Sequence, residues 1–294
     1  MPPSFHAKDR TKREHVAKLD RLVWDDPDAG TVILKLTDGA SAIGPGTADQ
    51  FTTGQLYRFL GRWTDGRYGD DFKFETFVKD APLARGAVMK SLADTCRHIG
   101  RATAEKLFDK FGGDAVRQLR EEPEAVAAAG LLTADAAREA AADLARFAAL
   151  ERTKIELFGL FAARGFHGKA IDRAIGLFGA KAPEIIRRNP YTLLVKKLPG
   201  AGFKRVDRMF LDLGGKPAAF KRQMFAALAG IREDRSGSTW ADAQDVAATV
   251  TKSIPGADPY RALRGLIRAG RVRVRREGRE RFVTLRERAG SPRP

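Results

Sequence analysis

A repeated glycine pattern constrains the fold of this 294-residue chain more than any other feature. Gly100 and Gly112 lie twelve residues apart around one helical segment, and Gly202 and Gly214 enclose another at the same spacing. Glycine adopts backbone conformations that other residues avoid, so such pairs around helices of about ten residues are typical of tandem helical hairpins. The pattern predicts a mainly helical region over residues 83–235.

Two further copies support this interpretation. The stretch 165–168 leads through a helical segment to Gly179, and a weaker copy at Gly130 leads into a helix predicted over residues 134–147. The second helix of each hairpin would point its unpaired N–H groups outward, an arrangement that binds phosphate. Hairpins that serve only for packing remain the alternative. The candidate residues are Gly100, Arg101, Thr103, Gly168, Lys169, Gly200, Gly202, Lys204, Arg205 and Arg208.

The residues before the helical region have the pattern of short strands. Apolar runs alternate with polar turns, and no long helix separates them. The runs are residues 16–24, 31–36, 42–43, 55–63 and 71–78. Five short strands in about 75 residues predict a small β-barrel of the OB type over 15–82, with a β-sandwich as the alternative. Residues 1–14 are expected to form a flexible basic arm.

An aromatic and basic cluster on this barrel is a candidate stacking face for single-stranded nucleic acid. Trp63 and Tyr68 supply rings, and Arg62, Arg67 and Lys73 supply positive charge. A tryptophan in the core beside an ordinary surface loop is an equal alternative, because the first 90 residues carry a formal charge of only +1.

The C-terminal part changes character again. Residues 236–288 have the pattern of helices followed by a basic β-hairpin, which is the layout of a winged-helix module, and residues 289–294 form a tail. Arg271, Arg273 and Arg275 would share one face of a strand and bind DNA, while the intervening valines are buried. A charged edge strand that resists aggregation is the alternative.

The formal charge of +16 is concentrated in two blocks. Residues 164–235 carry +10 and residues 255–294 carry +8. Segregated positive charge attracts a polyanion and releases its counterions, whereas charge that only keeps a protein in solution is more evenly spread. A single cysteine, an N-terminus without an apolar signal sequence and no stretch of ~20 apolar residues predict a cytoplasmic protein without a membrane partner.

Two stretches resemble helix-hairpin-helix DNA-binding motifs: His98–Ala104 and, more strongly, Leu198–Asp207 with its Pro-Gly-Ala-Gly-Phe-Lys sequence. With the segment 61–73 before them and Asn189–Leu193 between them, their order resembles the N-terminal half of RecD-like DNA helicases. The resemblance extends from about Val16 to Leu285. It implies an α+β multidomain fold with an OB-like barrel, tandem helix-hairpin-helix units and a small winged-helix-like module.

The sequence departs from that family in three places. His98 stands where these hairpins usually have glycine, and Gly237-Ser238-Thr239 replaces a Gly-His-Thr sequence. The P-loop needed to hold ATP and Mg²⁺ is also missing, because Gly215-Lys216 is followed by Pro217. We therefore expect no catalytic activity, cofactor or metal in this chain.

These observations favour a sequence-nonspecific DNA-binding protein of DNA repair or recombination, with DNA and a helicase or ATPase subunit as candidate partners. The alternatives are a detached N-terminal part of an ATP-dependent RecD-like helicase and an RNA-binding module. A DNA glycosylase that uses Lys204 as nucleophile is disfavoured, because Arg222 stands where the assisting carboxylate is needed.

Overall fold

A computed structural model describes residues 13–66, 69–80, 85–233 and 239–287. The strands are β1 (Glu14–Asp26), β2 (Thr31–Leu36), β3 (Ser41–Pro45), β4 (Leu56–Gly66), β5 (Gly69–Lys79), β6 (Ala241–Asp242), β7 (Val272–Glu277) and β8 (Glu280–Leu285). The α-helices are α1 (Arg85–Thr95), α2 (Arg101–Phe111), α3 (Ala115–Glu121), α4 (Pro123–Ala128), α5 (Ala134–Phe161), α6 (Gly168–Phe178), α7 (Ala182–Arg188), α8 (Thr192–Val195), α9 (Phe203–Asp212), α10 (Phe220–Glu233), α11 (Ala243–Ser253) and α12 (Pro259–Arg268). The predicted α+β class is confirmed.

The chain divides into an N-terminal unit, Met1–Pro183, and a C-terminal unit, Glu184–Pro294. This division falls inside the helical region predicted over 83–235. The predicted basic arm lies almost wholly outside the described residues, and the tail lies entirely outside them.

The N-terminal unit begins with a closed barrel of strand order β1-β2-β3-β5-β4. Strand β1 pairs with β4 to close it, and β3 runs parallel to β5 while the other pairs are antiparallel. Val32, Leu34 and Leu36 point into the barrel because side chains alternate across a strand, and all three are fully buried. The predicted barrel is confirmed, and the β-sandwich alternative is wrong.

Two copies of the glycine repeat have the same local backbone structure. Helices α2 and α6 each contain eleven residues and end at a glycine with nearly the same backbone angles, φ 57° and ψ −138° at Gly112 and φ 57° and ψ −144° at Gly179. In both copies a 3-10 turn and a seven-residue helix follow. The two segments are therefore copies of one local structure.

The helix predicted over residues 134–147 is longer than expected. Helix α5 begins after Thr133, whose hydroxyl accepts a hydrogen bond from the Ala136 amide, and continues for 28 residues to Phe161. Its one glycine, Gly159, lies in the last turn, so nothing in the sequence stops the helix at residue 147. The chain reverses at Gly165, which has a left-handed conformation with φ 70°.

The C-terminal unit packs helices against a three-stranded sheet of order β6-β8-β7. Helices α11 and α12 bury one apolar face each, including Val250 and Leu266, and the chain then forms the β7–β8 hairpin. Asp242 starts α11 by accepting a hydrogen bond from the Gln244 amide. In the described part of the chain no helix is long and apolar enough to cross a membrane.

Candidate nucleic-acid interface

The hairpin between α8 and α9 presents an open helix N-terminus. After α8 the chain turns through Lys197 and Gly200, which have positive φ values of 51° and 74°. Gly202 then begins α9 in an extended conformation, with φ −88° and ψ 155°. Its carbonyl accepts from the Val206 amide, and Gly202 has no side chain with which to cap the first turn. The amides of Phe203 and Lys204 have no partner within the helix at this end and can meet a ligand.

Gly202 is not required by the conformation of the turn. Its φ is negative, the residue is exposed, and a Cβ atom built on it would meet no heavy atom within 4 Å. The absence of a side chain leaves space beside the helix N-terminus, where a phosphate could approach the backbone. Gly200 differs, because its positive φ favours glycine.

The three cations that follow this turn have different surroundings. Lys204 and Arg208 are exposed and lie one helical turn apart on the outer face of α9. Arg205 is half-buried and donates from Nη1 to the carbonyl of Gly200 at 2.7 Å. Two of the predicted contacts can thus meet an anion directly, and the third stabilises the turn.

A buried ion pair holds α9 in place. Arg222 on α10 donates to both carboxylate oxygens of Asp207, at 2.8 and 2.9 Å, and the Tyr191 hydroxyl donates to the same carboxylate at 2.7 Å. The hydrogen bond to Asp207 raises the pKa of Arg222. Burial, and after it the hydrogen bond from its own hydroxyl to Asp207, raise the pKa of Tyr191. Arg222 therefore has a structural partner at the position where a glycosylase would need a carboxylate.

A groove adjoins the hairpin within the C-terminal unit. It consists of a cavity of about 790 Å³ and a second of about 610 Å³, and Lys197, Arg232, Leu285 and Glu287 line both. The second cavity also contains the turn from Gly200 to Gly202. The apolar part of its lining, here called the floor, comprises six side chains, of which Val195 is exposed and two are buried (Leu266 and Leu285): Val195, Met224, Phe225, Leu228, Leu266 and Leu285. Five cations line the groove: Lys197, Lys221, Arg232, Arg271 and Arg286.

This groove brings predicted residues from distant parts of the sequence together. Arg271 and the Gly200–Gly202 turn line the two cavities of the same groove, although about 70 residues separate them along the chain. Among the described lining residues, Glu287 is the one carboxylate of the cavity with the five cations. Burial lowers the pKa of Lys221 at its edge. The groove is therefore a positively charged cleft with an apolar floor.

The predicted arginine ribbon is not uniform. Arg273 is exposed, whereas Arg275 is half-buried with its guanidinium 5.2 Å from the Trp240 ring centre and 5.8 Å from that of Phe282. Arg275 also forms an ion pair with Glu277 at 2.7 Å. The guanidinium of Arg275 is thus held by its own strand and by two aromatic rings.

The expectation that both valines of this strand are buried is wrong for one of them. Val272 is 3% exposed, but Val274 is 40% exposed. Val274 lies opposite the buried Val283 and therefore on the same face of the sheet. Because β7 is an edge strand, Val274 remains partly open to solvent.

The other two predicted hairpins differ from each other. Gly100 precedes α2 in an extended conformation with open space around it, and Arg101 is exposed while Thr103 is half-buried. Gly168 is buried, and a methyl group there would overlap the carbonyl oxygen of Glu75 on β5. The absence of a side chain at Gly168 allows α6 to pack closely on the barrel, while Lys169 beside it is exposed. The N-terminus of α6 is consequently less open than that of α9.

The predicted stacking face lies only partly within the described residues. Trp63 is half-buried against the barrel core, with its ring edge-on to Phe72 at 5.1 Å and to His15 at 4.7 Å. The register places Trp63 opposite Phe72, on the inner face of the sheet. Arg62 and Lys73 are exposed, and Arg67 and Tyr68 lie outside the described residues.

Sequence reasoning missed two features. Trp24, which is 48% exposed, lies near the end of β1, and no pattern distinguishes it from a core residue. The groove was also missed, because its apolar floor comes from α8, α10, α12 and β8. No cluster of three or more described His, Cys, Asp or Glu side chains could hold a metal ion.

Comparison with protein families identifies the region that contains the hairpin. Residues 151–240 match the family model of the ATP-dependent RecD2 DNA helicase HHH domain, where HHH denotes helix-hairpin-helix. The same comparison detects no ATPase domain. No curated protein sequence matches the chain. Residues 151–240 are therefore similar to the helix-hairpin-helix domain of RecD2-type DNA helicases, and a five-stranded barrel precedes them along the chain, as expected for a RecD2-like accessory region.

Proposed function

We propose that this chain binds DNA without sequence preference through its C-terminal unit and acts in the cytoplasm as an accessory of a RecD2-type helicase in DNA repair or recombination. The observation that carries the proposal is the open N-terminus of α9 at Gly202, with Lys204 and Arg208 exposed beside it. The partial positive charge of a helix N-terminus and two nearby cations favour a phosphate.

The expected lack of sequence preference follows from the groups that make the contact. Backbone N–H groups and lysine or arginine side chains bind phosphates, which are the same at every nucleotide. The charge of +10 over residues 164–235 adds a long-range attraction to any nucleic acid. The family match favours DNA over RNA as the ligand.

Salt-dependent binding measurements test this proposal. Fluorescence anisotropy with labelled DNA should show that the Lys204→Ala/Arg208→Ala variant binds more weakly and has a log K against log salt slope reduced by up to about two units. The Lys18→Ala/Lys110→Ala variant removes two exposed cations of the N-terminal unit and serves as the matched control. Equal slopes for both variants would contradict the proposed interface, and tighter binding of RNA of the same sequence would favour an RNA-binding module instead.

We further propose that the motor for this region is supplied by another ATPase domain or subunit. The sequence Gly215-Lys216-Pro217 lacks the hydroxyl residue with which a P-loop holds Mg²⁺. The purified chain should therefore show no DNA-stimulated ATP hydrolysis in a coupled phosphate-release assay. Turnover that stays with the protein through several columns would show that a motor is present.

A further inference from the structure

The groove beside α9 has a composition that a contact to duplex phosphates does not require. Cations alone would hold a duplex, yet four apolar side chains of the floor between them are exposed or half-buried: Val195, Met224, Phe225 and Leu228. Val195 is 54% exposed there, although burial of an aliphatic side chain stabilises a folded protein. An exposed apolar surface inside a cationic cleft indicates a ligand with both charged and apolar parts.

Single-stranded DNA is such a ligand. Its phosphates are anionic, and its unpaired bases have apolar faces that stack on aromatic and aliphatic side chains. In a duplex those faces are covered by the neighbouring base pairs. The larger cavity, about 790 Å³, lies within the range of roughly 300–1,000 Å³ that is typical of clefts for small molecules. It therefore suits one or a few unpaired bases.

The floor contains a pre-formed aromatic stack. The ring of Phe225 lies parallel to that of Tyr191, with 4.4 Å between their centres and an angle of 4°. Tyr191 is in turn held by the buried carboxylate of Asp207. Phe225 lines the groove and is fixed from behind, so a base that contacts it meets an ordered ring.

The rim places cations around this floor. Lys197 lines both cavities and has a positive φ of 51°, a conformation that disfavours most side chains. A glycine would be more favourable at this turn, and lysine adds a charge between the hairpin and the floor. Arg271 and Arg286 stand on the β-hairpin side. Positive charge therefore flanks the apolar floor from different elements of the unit.

We propose that this groove holds the bases of a short single-stranded segment of DNA on its apolar floor, while the Gly202 turn and the rim cations bind the adjoining phosphates. The inference rests on the proposed function and specifies its substrate as single-stranded DNA, free or next to a duplex. Its charge complementarity is five cations along a phosphate chain, and one of them, Arg232, lies 3.9 Å from Glu287, the one carboxylate among the described residues of the larger cavity.

The test compares single-stranded and duplex DNA of the same length and sequence. Val195→Ser removes an apolar contact at an exposed position, so we expect the fold to persist, and Val195→Leu retains the contact. Affinity for the single strand should fall at least fivefold in Val195→Ser and remain within twofold in Val195→Leu, and duplex affinity should stay within twofold in both. Ile155→Ser, at an exposed apolar residue of the N-terminal unit, is the matched control and should change neither affinity.

A second measurement does not depend on a variant. A single-stranded oligonucleotide that carries the fluorescent base 2-aminopurine should change its emission on binding to the wild-type chain, and Lys204→Ala/Arg208→Ala should weaken binding without abolishing that change at saturation. Equal effects of Val195→Ser on both DNA forms, or unchanged 2-aminopurine emission at saturation, would overturn the groove inference and leave the proposed function intact. Failure of the wild-type chain to bind either DNA form would overturn the proposed function itself.

Discussion

Replacement of Gly202 by valine distinguishes two roles for this turn: contact with a DNA phosphate, and packing within the protein alone. The backbone angles of Gly202, φ −88° and ψ 155°, lie in the extended region that valine favours, and a Cβ atom there meets no heavy atom within 4 Å. The variant should therefore fold. The expected loss of stability is about 0.5–1 kcal/mol, because valine is a poorer residue than glycine at a helix start.

The effect on DNA affinity should be larger. A phosphate at a helix N-terminus gains about 0.3–1 kcal/mol from the dipole, and each hydrogen bond to a charged group contributes about 1.5–3 kcal/mol. Valine would keep the phosphate away from the N–H groups, so we expect at least a tenfold weaker Kd, equivalent to about 1.4 kcal/mol. Lys204→Ala should cost less, because Arg208 is exposed nearby and partly replaces its charge.

The assay is a titration of labelled DNA with each variant below its melting temperature, with circular dichroism to confirm the helices. Gly100→Val provides a matched comparison, because Gly100 also precedes a helix in an extended conformation with open space around it. It lies in a stretch, residues 91–163, that carries a formal charge of −2, so its effect should be smaller. A lower melting temperature of Gly202→Val with unchanged affinity in the folded protein would refute the phosphate contact.

Three further predictions concern charge and burial. Arg273→Ala should reduce the log K against log salt slope by about one unit, whereas Arg275→Ala should change it less, because Arg275 is held by an ion pair and two rings. Asp207→Asn leaves the charge of Arg222 buried without a carboxylate, so urea denaturation should show a loss of about 3–5 kcal/mol, and a loss below 1 kcal/mol would contradict this account. Burial raises the pKa of Cys96 from 9.0 to about 12, so its thiol should resist thiol reagents at pH 8 in the folded protein. Because the folded state binds this proton more tightly than the unfolded state, its contribution to stability is present below pH 9 and should be lost between pH 9 and about 12 in urea titrations of wild type against Cys96→Ala.

Local sequence patterns predicted the elements of this fold well. The apolar run over 31–36, bounded by turns, predicted a strand with the observed limits. The glycine spacing identified the ends of α2 and α9, since a chain that reverses after a helix commonly uses glycine there. The prediction ended α5 at residue 147, although the sequence from 148 to 158 contains no glycine or proline that would stop a helix, and α5 continues to Phe161.

The orientation of each turn could not be predicted in the same way. Gly168 and Gly202 have similar sequence contexts, yet Gly168 packs against Glu75 and Gly202 faces open space. The difference depends on which element covers the turn, and that is a property of tertiary packing. The groove was hidden for the same reason, because Val195 and Leu285 come together only in the folded unit.

The packing of Gly168 on Glu75 limits how the protein can be dissected. A fragment that ends at residue 82 would retain Glu75 but lose α6, and its barrel would expose the backbone that α6 covers. A fragment that begins at residue 83 would lose the surface on which the glycine rests. Cloning boundaries for an isolated barrel or an isolated set of hairpins should therefore avoid residue 82, because Glu75 and Gly168 belong to one compact unit, Met1–Pro183.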